Sequence, residues 1–267
     1  MNIIDSVILG IIQGLTEFLP VSSSGHLELG KEILGVNFEE NAVLYSAVVH
    51  AATALSTVVV YYKDIFSIIR DLVKFEWNDA TKFAAYVLVS MIPAAVVYVF
   101  LGDMLDELFS GKIVLVGCML LITAGLLYAS SRIQSQPGKN TFGKAFIVGL
   151  SQAFALLPGV SRSGSTISTA LMLGINRENA ARFSFLMVIP VILGGTMLEL
   201  KDYFEADPGQ ITEVSSGVLI AGFLAAFLSG LAACTWMIRI VKKAKLDYFA
   251  IYCMIVGLIA IGYGLFA

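Results

Sequence analysis

Residues 17–26 read EFLPVSSSGH: a carboxylate, a proline, three consecutive serines, a glycine and one of the chain's two histidines, set inside an apolar N-terminal run. A second stretch has the same character, PGVSRSGST at 158–166. The fold turns on how these two are read. The regions that hold them, 2–35 and 141–174, are apolar, yet each is broken midway, at Pro20 to Gly25 and at Pro158 to Gly164. The halves are only about 12–17 residues long, too short to cross ~30 Å of hydrocarbon as helices. Broken helices at membrane depth are tolerated where protein or a wet cavity covers them. Both regions are therefore expected to be re-entrant helical hairpins, each entering and leaving on one face of a membrane.

The rest of the chain agrees with a membrane setting. Of 267 residues, 58% are hydrophobic and 14% charged, where soluble domains carry about 25% charge. No long polar block is present to build a soluble domain. Six further runs, near 41–62, 82–101, 112–131, 179–200, 214–238 and 246–266, are long enough to span as helices. The expectation is one all-α integral membrane domain over 1–267, with six transmembrane helices plus two re-entrant hairpins. Cys118, Cys234 and Cys253 all lie in apolar runs and read as packing residues. The N-terminus lacks a basic region and a small-residue cleavage site and carries Asp5 and Glu17, so it does not read as a secretory signal.

Lys and Arg sort by side. With the N-terminus and the loops 36–40, 102–111 and 201–213 on one face, that face holds Lys31, Lys112 and Lys201. The other holds Lys63, Arg70, Lys74, Lys82, Arg132, Lys139, Lys144, Arg177, Arg182, Arg239, Lys242, Lys243 and Lys245. The basic face is expected to be cytoplasmic, which puts both termini outside. The outer face carries acids: Asp103, Asp106, Glu107, Asp202, Glu205, Asp207 and Glu213.

The hairpins also resemble each other. Displaced by 139 positions, Gly10 falls on Gly149, Gln13 on Gln152, Val21 on Val160, Ser22 on Ser161, Ser24 on Ser163 and Gly25 on Gly164. Leu34-Gly35-Val36-Asn37 falls on Leu173-Gly174-Ile175-Asn176. This reads as an internal duplication, repeat one over about 1–131 and repeat two over about 141–267. Each repeat is a hairpin plus three spans. Three is odd, so the second repeat sits upside down, the hairpins dip from opposite faces, and their tips meet. Inverted repeats with broken helices place their site at that meeting point.

Together the tips offer Gln13, Glu17, Ser22, Ser23, Ser24, His26, Ser161, Arg162, Ser163, Ser165 and Thr166. Arg162 is the one basic residue that belongs to neither face, and an arginine at membrane depth is costly and usually paired or functional. Arginine, hydroxyls and the backbone N–H groups where Gly25 and Gly164 begin the return limbs describe a site for an anion with several oxygens, best a phosphate or pyrophosphate. Gln13 and Glu17 share a face of the first limb. Glu17 and His26 add acid–base capacity; a serine beside either can be a nucleophile, and a histidine can itself attack phosphorus. Blander readings stand beside these. The serines and glycines can serve close packing, Glu17 and Arg162 can be a structural ion pair, His26 an inert contact, and His50 reads as structural. Glu178 and Arg182, four apart, read as a surface pair, and Glu28, Lys31 and Glu32 as a solvated rim.

QGLTEFLPVSSSGH (13–26) and PGVSRSGSTI (158–167), with NRENAARFSFLMVIP (176–190), resemble the signature segments of the undecaprenyl-pyrophosphate phosphatase family, long labelled bacitracin-resistance proteins. The resemblance covers the whole chain, and both motifs together are highly specific. The family's acidic element falls on Gln13 and Glu17, its serine and histidine on Ser23 and His26. Its second element falls on Pro158, Gly159, Ser161, Arg162, Ser163 and Thr166. Gln13 stands where many members have Glu, which weakens any role that needs two carboxylates. The resemblance implies hydrolysis of a C55 isoprenyl pyrophosphate to the monophosphate at the outer, periplasmic side of the plasma membrane, recycling the lipid carrier for envelope polymers. It implies a divalent cation, Mg²⁺ or Ca²⁺, with Glu17 as a metal ligand. Glu17, Ser23, His26 and Arg162 are then the catalytic residues; Gln13, Ser22, Ser24, Gly25, Ser161, Ser163, Gly164 and Thr166 bind substrate. Expected partners are the isoprenyl pyrophosphate lipid, the bilayer and a second copy in a homodimer, with no nucleic acid. The rival reading from another class is a transporter that flips a polyprenyl phosphate or another anion, since inverted repeats with broken helices are typical of carriers.

Overall fold

A computed structural model describes residues 1–36, 42–108, 112–134, 136–205, 214–243 and 245–266. Eleven helices lie among them: α1 (Ile3–Phe18), α2 (Ser23–Leu34), α3 (Ala42–Val60), α4 (Tyr62–Leu72), α5 (Asp79–Leu108), α6 (Ile113–Ser131), α7 (Phe142–Phe154), α8 (Arg162–Met172), α9 (Arg177–Glu205), α10 (Ser216–Lys242) and α11 (Asp247–Phe266). The described residues contain no strand; a single bridge joins Gly138 to Ile175. The fold is all-α. Asn37, Asp207 and Glu213 lie outside the described residues, as does most of the loops assigned to the outer face.

Among the described residues five helices are long and apolar enough to cross a membrane, α5, α6, α9, α10 and α11, or six if α3 and α4 together count as one bent span. They match five of the six expected spans. The sixth differs. The apolar run from 41 reaches only Val60, and the chain then bends by 78° into α4, a helix absent from the sequence reading. Its Ile65 and Ile68 pack on the core. Tyr62, Phe66, Ile69 and Val73 recur at helical spacing and stay exposed. Lys63, Asp64, Arg70 and Asp71 interrupt the apolar pattern, which hides the helix from a hydropathy window and gives it the amphipathic character of an interfacial segment.

The two polar stretches fall in breaks between short helices, as the proline and serine content requires. α1 opens on a capping box between Asn2 and Asp5, and α7 is capped by Thr141. The chain leaves helix after Phe18 and after Phe154, and restarts at Ser23 and Arg162 under the caps of Ser22 and Ser161. α2 folds back on α1: a Cβ at Gly30 would lie 3.1 Å from both Leu9 and Ile12. α8 folds back on α7 in the same way.

The halves pack reciprocally. α1 lies against α10 and α7 against α5, so each hairpin leans on a long helix of the other half. α3 packs on α9 and α6 on α11, and shifted by 139 positions α3 overlaps α9. The positions that would match α4, 201–211, lie partly outside the described residues. Small residues let the backbones approach: a Cβ at Gly10 would come 2.6 Å from the Gly222 carbonyl oxygen, and one at Gly117 would come 2.7 Å from that of Gly257.

One expected pairing is corrected. Arg182 bonds Asp64 of α4 at 2.7 Å and lies 4.8 Å from the Phe83 ring. Glu178 takes Lys242 of α10 at 2.9 Å. Neighbours brought in by α4 and α10 displace the local partner four residues away. On the rim, Lys31 does pair with Glu28 at 2.8 Å, and Tyr263 reaches Glu32 at 3.4 Å. All three cysteines are unbridged, with Cys234 and Cys253 buried.

Candidate active site

The two tips cross. Ser163 Oγ donates to the Leu19 carbonyl at 3.2 Å, and Arg162 forms an ion pair with Glu17. A Cβ at Gly25 would lie 3.2 Å from the Gly159 Cα, and one at Gly164 would lie 3.3 Å from the Pro20 Cβ. A larger residue at either glycine would be tight against the opposite tip and would need it to give by a few tenths of an ångström. Gly159 adopts φ 93°, the left-handed region that glycine enters without strain. Ser22 adopts φ 71°, a strained choice for serine that turns the chain sharply enough to start α2 beside Glu17.

Glu17 is the hub. Its side chain is 2% exposed. One oxygen meets Arg162 Nη2. The other accepts from Ser23 Oγ at 2.7 Å and from Gln13 Nε2 at 3.0 Å. A carboxylate buried this deeply persists only with a full set of donors, and here three side chains from two hairpins supply them. Gln13 is buried with Oε1 lacking a partner among the described residues.

The serines divide between scaffold and cleft. Ser22 Oγ accepts from the Gly25 N–H at 3.2 Å and Ser161 Oγ from the Gly164 N–H at 3.1 Å. Both backbone donors expected to face an anion are thus taken up by caps; the two glycines supply room. Ser22 lies 3.3 Å from Ser24, and Ser161 lies 3.3 Å from Ser163, the same contact in both tips. The Ser161 N–H also donates to Thr123 of α6 at 3.0 Å, which anchors the second tip. Thr166 Oγ1 bonds the Arg162 carbonyl at 2.9 Å and Ser184 Oγ at 2.7 Å.

A small cleft of about 10 Å³, room for about one water, lies between the tips and α9, lined by Glu17, Phe18, Arg162, Ser163, Ser184, Phe185 and Val188. Ser184 was missed by sequence reasoning. The signal was there, a hydroxyl isolated in the apolar run RFSFLMVIP, but nothing local says that α9 passes the tips. His26 is held elsewhere. Its Nδ1 donates to the Ser22 carbonyl at 2.8 Å, its Nε2 lies 2.8 Å from the Tyr252 hydroxyl, and its ring stacks on Tyr252 of α11 at 5.6 Å. The structure brings Gln13, Glu17, Ser23, Arg162 and Ser163 together and turns His26 toward α11.

The residues fit a protein-held cation poorly. Both Glu17 oxygens already accept from Arg162, Ser23 and Gln13. Among the described residues no group of three or more His, Cys, Asp or Glu is placed to hold a metal. Gln13, where a second acid would stand, donates to Glu17 instead of adding a carboxylate.

Comparison with known proteins is consistent across the chain. The family model described as bacitracin resistance protein BacA matches residues 6–259. A protein of Christiangramia forsetii named undecaprenyl-diphosphatase is 53% identical over 98% of both chains. Proteins of the same name from Bacteroides fragilis and Parabacteroides distasonis are 52% and 50% identical, again over 98% of both chains. With five long apolar helices, two crossed polar tips and a family match that spans both, this chain is a multi-pass membrane protein that belongs to the bacitracin resistance protein BacA family.

Proposed function

We propose that the chain is an integral membrane phosphatase that hydrolyses undecaprenyl pyrophosphate to undecaprenyl phosphate and inorganic phosphate, recycling the lipid carrier for envelope polymers. The observation that carries this reading is the Ser23–Glu17–Arg162 constellation: a hydroxyl directed at a buried carboxylate, beside an arginine from the opposite hairpin. Relatives that share half the residues carry the name of this activity, which favours it over the carrier reading.

The pyrophosphate is taken to bind where the two tips meet, which requires them to part beyond the small cleft, and its oxygens draw the Arg162 fork, assisted by Ser163 and Ser184. Ser23 Oγ attacks the terminal phosphorus while its proton passes to Glu17 Oε2 along the existing 2.7 Å bond. The bond from phosphorus to the bridging oxygen breaks and isoprenyl phosphate leaves. Water then attacks the phosphoserine and restores Ser23. Gln13 fixes the Glu17 carboxylate, and His26 holds the start of α2 through the Ser22 carbonyl and Tyr252. Mg²⁺ or Ca²⁺ is expected to reach the site on the pyrophosphate.

Both hairpins are read as re-entrant, with the site open to the outer side of the plasma membrane and both termini there. Support comes from the basic residues gathered near the junctions α4–α5, α6–α7, α8–α9 and α10–α11.

The test is phosphate release from C55 isoprenyl pyrophosphate by detergent-purified protein. Ser23→Ala is expected to abolish release and to trap no phosphoenzyme. Near-normal release by that variant excludes Ser23 as nucleophile. Bound lipid with no release by the wild type returns the carrier reading.

A further inference from the structure

α11 touches the first tip at two adjacent residues. Tyr252 Oη lies 2.8 Å from His26 Nε2, and the two rings stack with centroids 5.6 Å apart and planes 14° from parallel. Cys253, the next residue, places Sγ 3.6 Å from the Pro20 carbonyl. These contacts fall on either side of Ser22, whose φ of 71° and ψ of 103° lie outside the favoured regions for an L-residue. Such a backbone persists only where its neighbours over-determine it. The Ser22 carbonyl accepts twice from one residue, from the His26 N–H at 3.2 Å and from His26 Nδ1–H at 2.8 Å. A carbonyl only accepts, so the His26 proton sits on Nδ1. Nε2 of the neutral ring is then an acceptor, and the Tyr252 hydroxyl donates to it.

The helix that α11 packs on holds the other tip. α11 lies against α6, close enough that a Cβ at Gly257 would come 2.8 Å from the Gly117 carbonyl oxygen. α6 supplies Thr123, whose Oγ1 accepts from the Ser161 N–H at 3.0 Å. The α6–α11 pair therefore grips both tips, the first through Tyr252 and Cys253 and the second through Thr123. At the first tip this grip sets a direction. The Ser22 carbonyl and the Ser23 nitrogen share one planar peptide, so holding the carbonyl fixes the plane from which Ser23 starts. From that plane Ser23 Oγ reaches Glu17 at 2.7 Å. Neither Tyr252 nor His26 lines the cleft.

We infer that Tyr252 is a positioning residue for the nucleophile, an inference that rests on the phosphatase reading with Ser23 as the attacking group. The Tyr252 hydroxyl orients the His26 ring, His26 holds the Ser22–Ser23 peptide, and that peptide directs Ser23 Oγ at Glu17. His26 serves in this line as a fixed donor to the Ser22 carbonyl and takes no proton from the reaction. Both residues act through Ser23 and leave the phosphate oxygens to the groups of the two tips.

The experiment measures phosphate release from C55 isoprenyl pyrophosphate, together with melting temperature in detergent, for wild type, Tyr252→Phe, His26→Asn and the double variant. Tyr252→Phe keeps the stacked ring and loses the hydroxyl. His26→Asn keeps an amide donor where Nδ1 stands and loses the Nε2 acceptor. The expected result is a kcat lowered roughly ten- to a hundredfold in each single variant, at unchanged KM and melting temperature. The double variant should be no slower than the slower single one, because both substitutions break the same line. Wild-type kcat in Tyr252→Phe overturns the inference. So does a double variant in which the two losses multiply, since that marks independent roles. A His26→Asn variant with no release beside an active Tyr252→Phe makes His26 a reacting group and overturns it as well. A loss that comes with a lower melting temperature, or that appears mainly in KM, assigns Tyr252 to packing and has the same consequence. An inactive wild type overturns the phosphatase reading itself, a distinct result from active wild type with unaffected variants.

Discussion

At the scale of single residues, the Glu17–Arg162 ion pair has a structural role and, in the function proposed above, a chemical one, and substitutions separate the two. Arg162→Ala leaves a buried carboxylate without its counter-charge, which costs on the order of 3 kcal/mol in addition to activity. Arg162→Lys keeps the charge and loses the planar fork that grips phosphate oxygens. We expect Arg162→Lys to melt close to wild type in detergent yet to lose about 10²-fold or more in turnover; a lysine variant with normal turnover assigns the arginine to structure alone. Ser22, Ser23 and Ser24 have equivalent chemistry on paper, and the fold gives them different work. Ser22 caps α2, Ser24 contacts Ser22, and Ser23 alone of the three is bonded to Glu17. The stretch EFLPVSSSGH announces a polar cluster without saying which hydroxyl meets Glu17, because that depends on the φ of Ser22 and on the place of Glu17 in the last turn of α1.

At the scale of elements, the hairpins hold their place by close backbone contact. Gly10 and Gly14 of α1 face Gly222, Ala226 and Gly230 of α10. A Cβ at Gly14 would collide with Ser229 Oγ and the Ala226 carbonyl oxygen. Gly14→Leu should therefore push α1 off α10, with a cost of at least ~1–3 kcal/mol visible as a lower melting temperature in detergent. Because Glu17 follows one turn later, turnover should fall with it. Gly262, which has open space around its missing Cβ, is the control: Gly262→Leu should leave melting unchanged. Equal loss at both positions would mean that general perturbation, not this contact, is being read. The small-residue spacing on α1 and α10 is visible in the chain, yet only the structure pairs these two helices, 212 residues apart at Ser6 and Val218.

At the scale of the whole molecule, the reciprocal packing of the halves makes the site. Neither hairpin carries both Glu17 and Arg162; an acid from one and a base from the other meet because each hairpin lies against the opposite half. Orientation in the membrane is the matching prediction. In a chain freed of Cys118, Cys234 and Cys253, an impermeant thiol reagent should label Lys201→Cys in intact cells. Lys139→Cys should be labelled only after the membrane is opened. The reverse pattern would turn the protein over and place the site's opening on the cytoplasmic side.

The apolar runs, the two breaks and the repeat at 139 positions were legible in the chain because hydropathy, proline and serine act locally. They determined an all-helical membrane protein with a polar site at two broken helices, and the motif residues narrowed its chemistry. The bend at Tyr61, the amphipathic α4, the pairing of Arg182 with Asp64, the place of Ser184 in the cleft and the turn of His26 toward Tyr252 were decided by tertiary structure. Each of these depends on which helices become neighbours. That choice is made by the summed packing of glycine-lined and apolar faces distant in sequence, which no short stretch of residues encodes.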